Sequence, residues 1–164
     1  MSSCRFCRTP LRHTMIDLGM SPLCESYIRA DQLDQMEPFY PLHVYVCERC
    51  FLVQVREYVN PARIFQEYAY FSSYSDSWLA HARAYTDMIV ERFGLGPRSL
   101  VVELGSNDGY LLQYLVARGI PVLGIEPAVN VASAAIARGV PTRTMLFGRE
   151  RGSSWPPRAG EPTS

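Results

Sequence analysis

Four of the five cysteines stand in two close pairs, Cys4-Arg5-Phe6-Cys7 and Cys47-Glu48-Arg49-Cys50. At this spacing one tight turn can direct two sulfurs at a single ion, and two such turns complete a tetrahedron. Four thiolates with no open position suit Zn²⁺, which is redox-inert and borderline-soft. The pairs therefore predict a structural zinc held by Cys4, Cys7, Cys47 and Cys50.

The alternative for these pairs is a redox dithiol. A redox pair is expected at the start of a helix in a βαβ unit, and neither pair has that context. His13 and His43 could substitute as ligands, but with four thiolates present they are expected to be surface or strand residues. Cys24 stands alone and is expected to be packed or half-exposed. The strand-like runs 40–46 and 51–55 predict a metal-capped β-hairpin.

A second chemical feature is the loop Glu103-Leu104-Gly105-Ser106-Asn107-Asp108-Gly109. It follows an apolar run, 99–104, of the kind found in buried parallel strands. Asp108 is expected to cap a helix over 110–117. Further runs predict a strand over 121–126, a helix over 129–138 and a strand over 141–147. This order predicts the first half of a Rossmann-like domain, with Glu126 ending the second strand. Such a domain needs more residues than the 55 that follow Gly109.

Two ligands compete for this loop. A dinucleotide calls for Gly-x-Gly-x-x-Gly, whereas the chain has Gly105-x-Asn107-x-x-Tyr110, and Asp108 is expected to oppose a phosphate. S-adenosylmethionine (SAM) has no phosphate, carries a sulfonium and an ammonium, and offers ribose hydroxyls to a carboxylate. Glu103, Asp108 and Glu126 therefore favour SAM, and a dinucleotide remains the alternative.

Between the two features lies an aromatic stretch, 64–75. Its interleaved rings and hydroxyls are typical either of a packing seam or of a cleft wall for a substrate or cofactor. A helix is predicted over 77–93, capped by Ser75 or Asp76. Its predicted buried face is marked by helical spacing and consists of Trp78, Leu79, Ala82, Tyr85, Ile89 and Phe93.

The composition narrows the choice of partners and compartment. The 16 basic residues, all arginine and scattered, balance 16 acidic ones, which argues against nucleic acid or an anionic membrane as the main partner. No apolar run approaches the roughly 18 residues of a membrane helix, and no apolar signal segment opens the chain. The expected location is the cytoplasm, where paired cysteines favour metal over disulfides.

Together these motifs resemble the zinc-binding class I SAM-dependent methyltransferases that include the sugar C-methyltransferases, over Cys4 to about Gly148. The resemblance rests on the two cysteine pairs, Asp17-Leu18-Gly19-x-x-Pro22-Leu23, Pro41-Leu42, Leu52-Val53-Gln54, Tyr68-x-Tyr70-x-Ser72-Ser73-x-Ser75, the loop from Glu103 to Tyr110, and Gly124-Ile125-Glu126-Pro127.

The resemblance implies an α/β enzyme with a zinc-bound, β-rich N-terminal module and a Rossmann-like SAM-binding domain. The implied acceptor is a nucleotide-linked 4-keto-deoxysugar, methylated at a carbon beside the ketone. The implied substrate-side phenol is Tyr70. The implied cofactor-binding residues are Glu103, Gly105, Asn107, Asp108, Gly109, Glu126 and Pro127.

The expected organisation is a zinc module over 1–60, a connector and helix over 61–98, a partial SAM domain over 99–148, and a disordered tail over 149–164, rich in Pro, Gly and Arg. The family's remaining strands and base-bearing segment would lie beyond, so we expect a truncated chain with little activity alone. The alternative is a zinc-dependent module that pairs with a second chain.

Overall fold

The computed structural model describes residues 2–65 and 67–148, without the side chains of residues 62 and 63. The chain divides into two compact units, Met1–Ile64 and Phe65–Ser164. One contains an antiparallel sheet and the other a parallel sheet with helices, so the predicted α/β class is confirmed. The tail for which disorder was predicted lies outside the described residues.

The first unit is built on three antiparallel strands in the order β1-β2-β3: β1 His13–Ser21, β2 Tyr40–Val46 and β3 Val53–Val55. Strands β2 and β3 form the predicted hairpin around the second cysteine pair. A 3₁₀ turn spans Ala30–Gln32, and the one-turn helix α1 spans Pro61–Ile64.

Strand β1 was not predicted from the sequence because it lacks a regular buried face. Its pairing with β2 shifts register twice, and eight of its nine residues are exposed. Gly19 adopts φ +77°, and its N–H donates to the Asp17 carboxylate at 2.9 Å. These irregularities erase the alternation of apolar and polar residues by which strands are recognised.

The second unit has three parallel strands in the order β4-β5-β6: β4 Val101–Leu104, β5 Val122–Ile125 and β6 Thr142–Arg143. Helix α3 Gln113–Val116 joins β4 to β5, and α4 Val129–Ala137 joins β5 to β6. A Cβ on Gly124 would lie 2.9 Å from Thr142 Oγ1 and closer still to Ser106 Oγ. Glycine therefore lets the loop after β4 pack directly on β5. The core of this unit contains Leu112, Leu115, Ile120, Val122, Ala135 and Val140.

Three predicted elements differ in extent or packing. Helix α3 begins only at Gln113, since residues before it form turns, and Asp108 does not cap it. The third strand comprises two residues rather than the whole of 141–147. Helix α2 Asp76–Phe93 begins at a Ser75 cap as predicted, but buries Ala82, Thr86 and Ile89, while Trp78, Tyr85 and Phe93 are exposed. Thr86 can be buried because its hydroxyl donates to the Ala82 carbonyl at 2.8 Å.

Within the described ranges, no helix has both the length and the apolar composition needed to cross a bilayer.

Candidate metal centre and ligand cavity

The four paired cysteines converge on one point. Their Sγ atoms all lie within 4.8 Å of one another, with Cys4–Cys50 at 3.6 Å and Cys7–Cys47 at 3.5 Å. A tetrahedral ion with metal–sulfur bonds of about 2.3 Å requires sulfur–sulfur distances of roughly 3.8 Å. The cluster therefore fits a thiolate-bound zinc. It is the one metal-ligating cluster found among the described residues.

Two equivalent turns aim the sulfurs. In the first, the N–H of Arg8 donates to the Cys4 carbonyl at 3.0 Å; in the second, the N–H of Phe51 donates to the Cys47 carbonyl at 2.9 Å. Arg8 and Phe51 both adopt left-handed φ, at 64° and 60°. In both turns the backbone reverses direction directly after the second cysteine of the pair, which turns both sulfurs of that pair to the same side.

Polar neighbours support the thiolates. Gln54 is buried, and its Nε2 donates to Cys4 Sγ at 3.2 Å while its Oε1 accepts the Arg5 N–H at 3.0 Å. The backbone N–H of Cys7, with help from Gln54, lowers the pKa of Cys4. Although a backbone hydrogen bond at Leu52 opposes the shift, burial and the neighbouring thiols raise the pKa of Cys50. Gln54 was not predicted as part of the site. Neither histidine joins the cluster: His13 pairs with Glu48 at 2.9 Å, and His43 stacks on Tyr45.

The second unit has a cavity of about 580 Å³ beside the loop that follows β4. Its lining includes five residues predicted individually, Tyr70, Gly105, Asn107, Glu126 and Pro127, and three more from the aromatic stretch, Phe65, Tyr68 and Ser72. The lining residues that were not predicted are Leu104, Tyr110, Leu146 and Phe147. The aromatic stretch thus forms part of a cavity wall. Of the two interpretations given for the stretch, the structure therefore favours the cleft wall, whereas no sequence pattern indicated Leu146 and Phe147.

Left-handed backbone shapes the loop. Gly105, Asn107 and Gly109 have φ of 72°, 48° and 77°. Asparagine tolerates this region better than most residues, and its side chain adds contacts that glycine lacks. Asn107 Oδ1 accepts the Ser72 N–H at 2.9 Å, and its Nδ2 donates to the Tyr70 carbonyl at 3.1 Å. Asparagine therefore joins the loop to the aromatic segment.

The amides of this loop are already used within the protein. The N–H groups of Gly105 and Ser106 donate to the Ile125 carbonyl, and that of Gly109 donates to the Ser106 carbonyl. The Asn107 N–H donates to Glu126 Oε2 at 2.9 Å. A pyrophosphate is normally held by free N–H groups of such a loop. Because these N–H groups donate within the protein, few remain in the loop to bind a pyrophosphate.

Glu126 is a buried carboxylate at the end of β5. Its two oxygens accept the N–H groups of Asn107 and Ala128, both at 2.9 Å. This residue also lines the cavity, as does Pro127 beside it. A carboxylate oxygen has a second lone pair, so Glu126 can hold the loop and still accept a ligand hydroxyl.

Glu103, on β4, carries a buried oxygen without a partner. Its Oε2 has no hydrogen bond in the described structure. Burial, together with the charge of Glu126, raises the pKa of Glu103 to about 7, although a hydrogen bond from Tyr110 opposes the shift. Burial likewise raises the pKa of Tyr110, which is a cavity-lining residue. A cationic group placed near Glu103 would satisfy the orphaned oxygen and favour the carboxylate form.

This raised pKa makes the stability of the second unit depend on pH. The native state holds the Glu103 proton up to about pH 7, whereas the unfolded chain releases it near 4.5. The free energy of unfolding should therefore fall between these values as pH rises, by about 3 kcal/mol at most. We expect Glu103→Gln to remove this component of the pH dependence.

The measurement is urea unfolding at a series of pH values from 4.5 to 8, monitored by the fluorescence of Trp78 in a Trp155→Phe background. The difference in unfolding free energy between Glu103→Gln and the parent isolates Glu103 from the other carboxylates. A difference that stays constant over this range would contradict the prediction.

Three predicted cofactor-binding residues, Glu103, Asp108 and Gly109, are not among the residues that line the cavity. Asp108 is fully buried, and its Oδ2 accepts from the Ser73 N–H at 3.3 Å, from the Ser73 hydroxyl and from Arg138 Nη1 at 2.9 Å. Gly109 packs beneath Val140, whose Cγ2 would lie 2.9 Å from an added Cβ. The argument that Asp108 would oppose a bound phosphate was therefore wrong. Its charge faces Arg138 inside the unit.

Comparison with known proteins shows what these features are similar to. Residues 4–65 match the family Methyltransf_13, described as a zinc binding domain. This match and the thiol cluster together support Zn²⁺ as the metal. The N-terminal part of the chain is therefore similar to this zinc-binding family.

Nearly the whole chain also matches C-methyltransferase NovU of Streptomyces niveus. The two sequences are 35% identical over 160 residues, which cover 98% of this chain and 38% of that relative. The resemblance predicted from the motifs is therefore confirmed. The chain spans less than half the length of the C-methyltransferase that it matches.

Proposed function

We propose that this chain is the zinc- and SAM-binding portion of a methyltransferase that C-methylates a nucleotide-linked 4-keto-deoxysugar. The observation that carries the proposal is the cavity beside the loop after β4, with Glu126 on its wall. Glu103, which has an unpartnered oxygen, contacts the wall residue Tyr110 but does not itself line the cavity. The parallel order β4-β5-β6 with intervening helices supports a Rossmann-like half, and such folds bind ligands at the carboxyl ends of their strands.

The donor set suits SAM better than a dinucleotide. When bound, SAM supplies a methyl group on a cationic sulfonium. Glu126 is available to accept ribose hydroxyls, and Glu103 offers negative charge to a cationic group. The loop amides from Gly105 to Asn107 are engaged internally, which disfavours a pyrophosphate.

The aromatic wall suits the exclusion of water and the orientation of an acceptor. Tyr68 and Tyr70 present flat apolar faces with hydroxyl groups, and Tyr70 is about half exposed. Its phenol can donate a hydrogen bond to an acceptor oxygen. No histidine is among the described cavity-lining residues, and both oxygens of Glu126 hold backbone N–H groups. Glu103, whose pKa is raised to about 7, contacts Tyr110 but does not line the cavity. We therefore expect little proton abstraction from an acceptor by this chain alone.

The proposal is tested by ligand binding to the zinc-loaded 164-residue protein. Calorimetry with SAM, S-adenosylhomocysteine and NAD⁺ should show binding of the first two and none of NAD⁺. Preference for NAD⁺ would replace the proposal with a dinucleotide-dependent enzyme. Labelled SAM plus a nucleotide-linked 4-keto-deoxysugar should give little or no methylated product, and efficient turnover would contradict the expected inactivity without affecting the binding result.

A further inference from the structure

The segment from Tyr68 to Ser73 is held by side chains in place of a neighbouring strand. Asn130 Oδ1 accepts the Tyr68 N–H at 3.0 Å, and Asn130 Nδ2 donates to the Tyr68 carbonyl at 2.8 Å. Asn107 also holds the segment, but its two contacts go to different residues, the Ser72 N–H and the Tyr70 carbonyl. A carboxamide that pairs with both backbone groups of one residue imitates the peptide of an adjacent strand.

The position of Asn130 separates it from the ligand cavity. It lies half-buried in the first turn of α4, 62 positions from Tyr68 along the chain, and does not line the cavity. The residues that it holds do line it: Tyr68 is on the wall, and Tyr70 follows two positions later. Because α4 packs on the parallel sheet through Ala135, Asn130 connects the aromatic segment to a rigid part of the unit.

We propose that Asn130 is a positioning residue, which fixes the backbone at Tyr68 and so holds the tyrosines against the ligand cavity. The ligand-related part of this inference rests on the proposed function. A wall held in place before binding avoids the entropy of ordering it on binding. Loss of Asn130 should therefore weaken ligand binding although Asn130 does not touch the ligand.

The contacts require a carboxamide. Alanine removes both hydrogen bonds. Aspartate keeps the acceptor for the Tyr68 N–H but has no donor for the Tyr68 carbonyl, and its charge would face that carbonyl. Both Asn130→Ala and Asn130→Asp should consequently loosen the backbone at Tyr68. Ser133→Ala is the matched control, because Ser133 is exposed on the same helix and its hydroxyl donates only to the Val129 carbonyl at 2.7 Å.

Two readouts on the zinc-loaded protein test the proposal. The first, without ligand, is hydrogen exchange of the Tyr68 amide by NMR, expected to accelerate at least tenfold in both Asn130 variants. The second is the dissociation constant of S-adenosylhomocysteine, expected to rise about tenfold. Neither should change in Ser133→Ala, and the melting temperature of each variant is recorded to identify general unfolding.

Each readout can fail separately. Unchanged exchange at Tyr68 in folded Asn130 variants would overturn the positioning role, whether or not the wild type binds ligand. Accelerated exchange with unchanged affinity would overturn the link to binding. Failure of the wild-type protein to bind either adenosyl compound would overturn the proposed function instead, and the exchange result would still decide the role of Asn130.

Discussion

Replacement of Cys47 by serine should leave the first unit without zinc and without a stable fold. The buried apolar cluster described for this unit consists of Cys4, Leu11 and Cys47, with Cys7, Tyr45, Cys50 and Leu52 packed against it. Four of these seven residues are the metal-directed thiols. Most β1 side chains are exposed, so the sheet has little other core.

The expected size of this effect follows from how little else stabilises the unit. Coupled zinc binding contributes on the order of 10 kcal/mol in small domains, which exceeds what a cluster of this size can supply. We expect zinc content to fall from one ion per chain to none in Cys47→Ser, as measured by atomic emission. The NMR dispersion of residues in β1 to β3 should collapse, and a strong chelator should do the same to the wild-type protein.

Cys24 provides the matched control. It is exposed, free and outside the thiol cluster, so Cys24→Ser should keep one zinc per chain and a dispersed spectrum. This variant also accounts for any effect of removing a reactive thiol. A zinc-replete, folded Cys47→Ser protein would show that the remaining residues stabilise the unit, and the four-thiolate site would then be rejected.

The metal cluster could be predicted from sequence because its information is local. Each pair sits in one turn, and the chemistry of four thiolates specifies their partner. Strands β4 and β5 could be predicted for a similar reason, since short apolar runs beside glycines are typical of buried parallel strands. The bounds of α3 and β6 could not be predicted, because left-handed turns and sheet pairing shorten them.

The roles of individual loop residues depended on contacts distant in sequence. Asp108 was interpreted through its neighbours in the loop, yet its partners Ser73 and Arg138 lie 35 and 30 positions away. The two asparagines likewise find their partners in the aromatic segment. No periodicity or spacing encodes these contacts, so the sequence could place Asp108 on the loop but could not show that it points inward.

The inward orientation of Asp108 leads to the second large effect, on the stability of the second unit. The carboxylate is fully buried, while the side chain of its partner Arg138 is 41% exposed. Removal of Asp108 would leave the Ser73 N–H and hydroxyl without their acceptor and Arg138 without its counter-charge. Breaking a buried pair by deleting one partner costs roughly 3–5 kcal/mol. Because Arg138 is partly exposed, we expect the loss of unfolding free energy in Asp108→Ala to lie near the lower end of this range, at about 3 kcal/mol.

A conservative variant and an exposed ion pair make this prediction specific. Asp108→Asn keeps an acceptor for Ser73 but loses the charge opposite Arg138, so its cost should be intermediate, about 1–2 kcal/mol. Asp87, which pairs with Arg118 but is half exposed, is the matched carboxylate. Because solvent screens such a pair, Asp87→Asn should cost less than about 1 kcal/mol. Urea unfolding, monitored by Trp78 fluorescence, gives the loss of unfolding free energy for all three variants.

Equal losses of unfolding free energy in Asp108→Asn and Asp87→Asn would mean that the buried charge contributes no more than a surface one. The stability of the loop would then come from its backbone hydrogen bonds and not from Asp108.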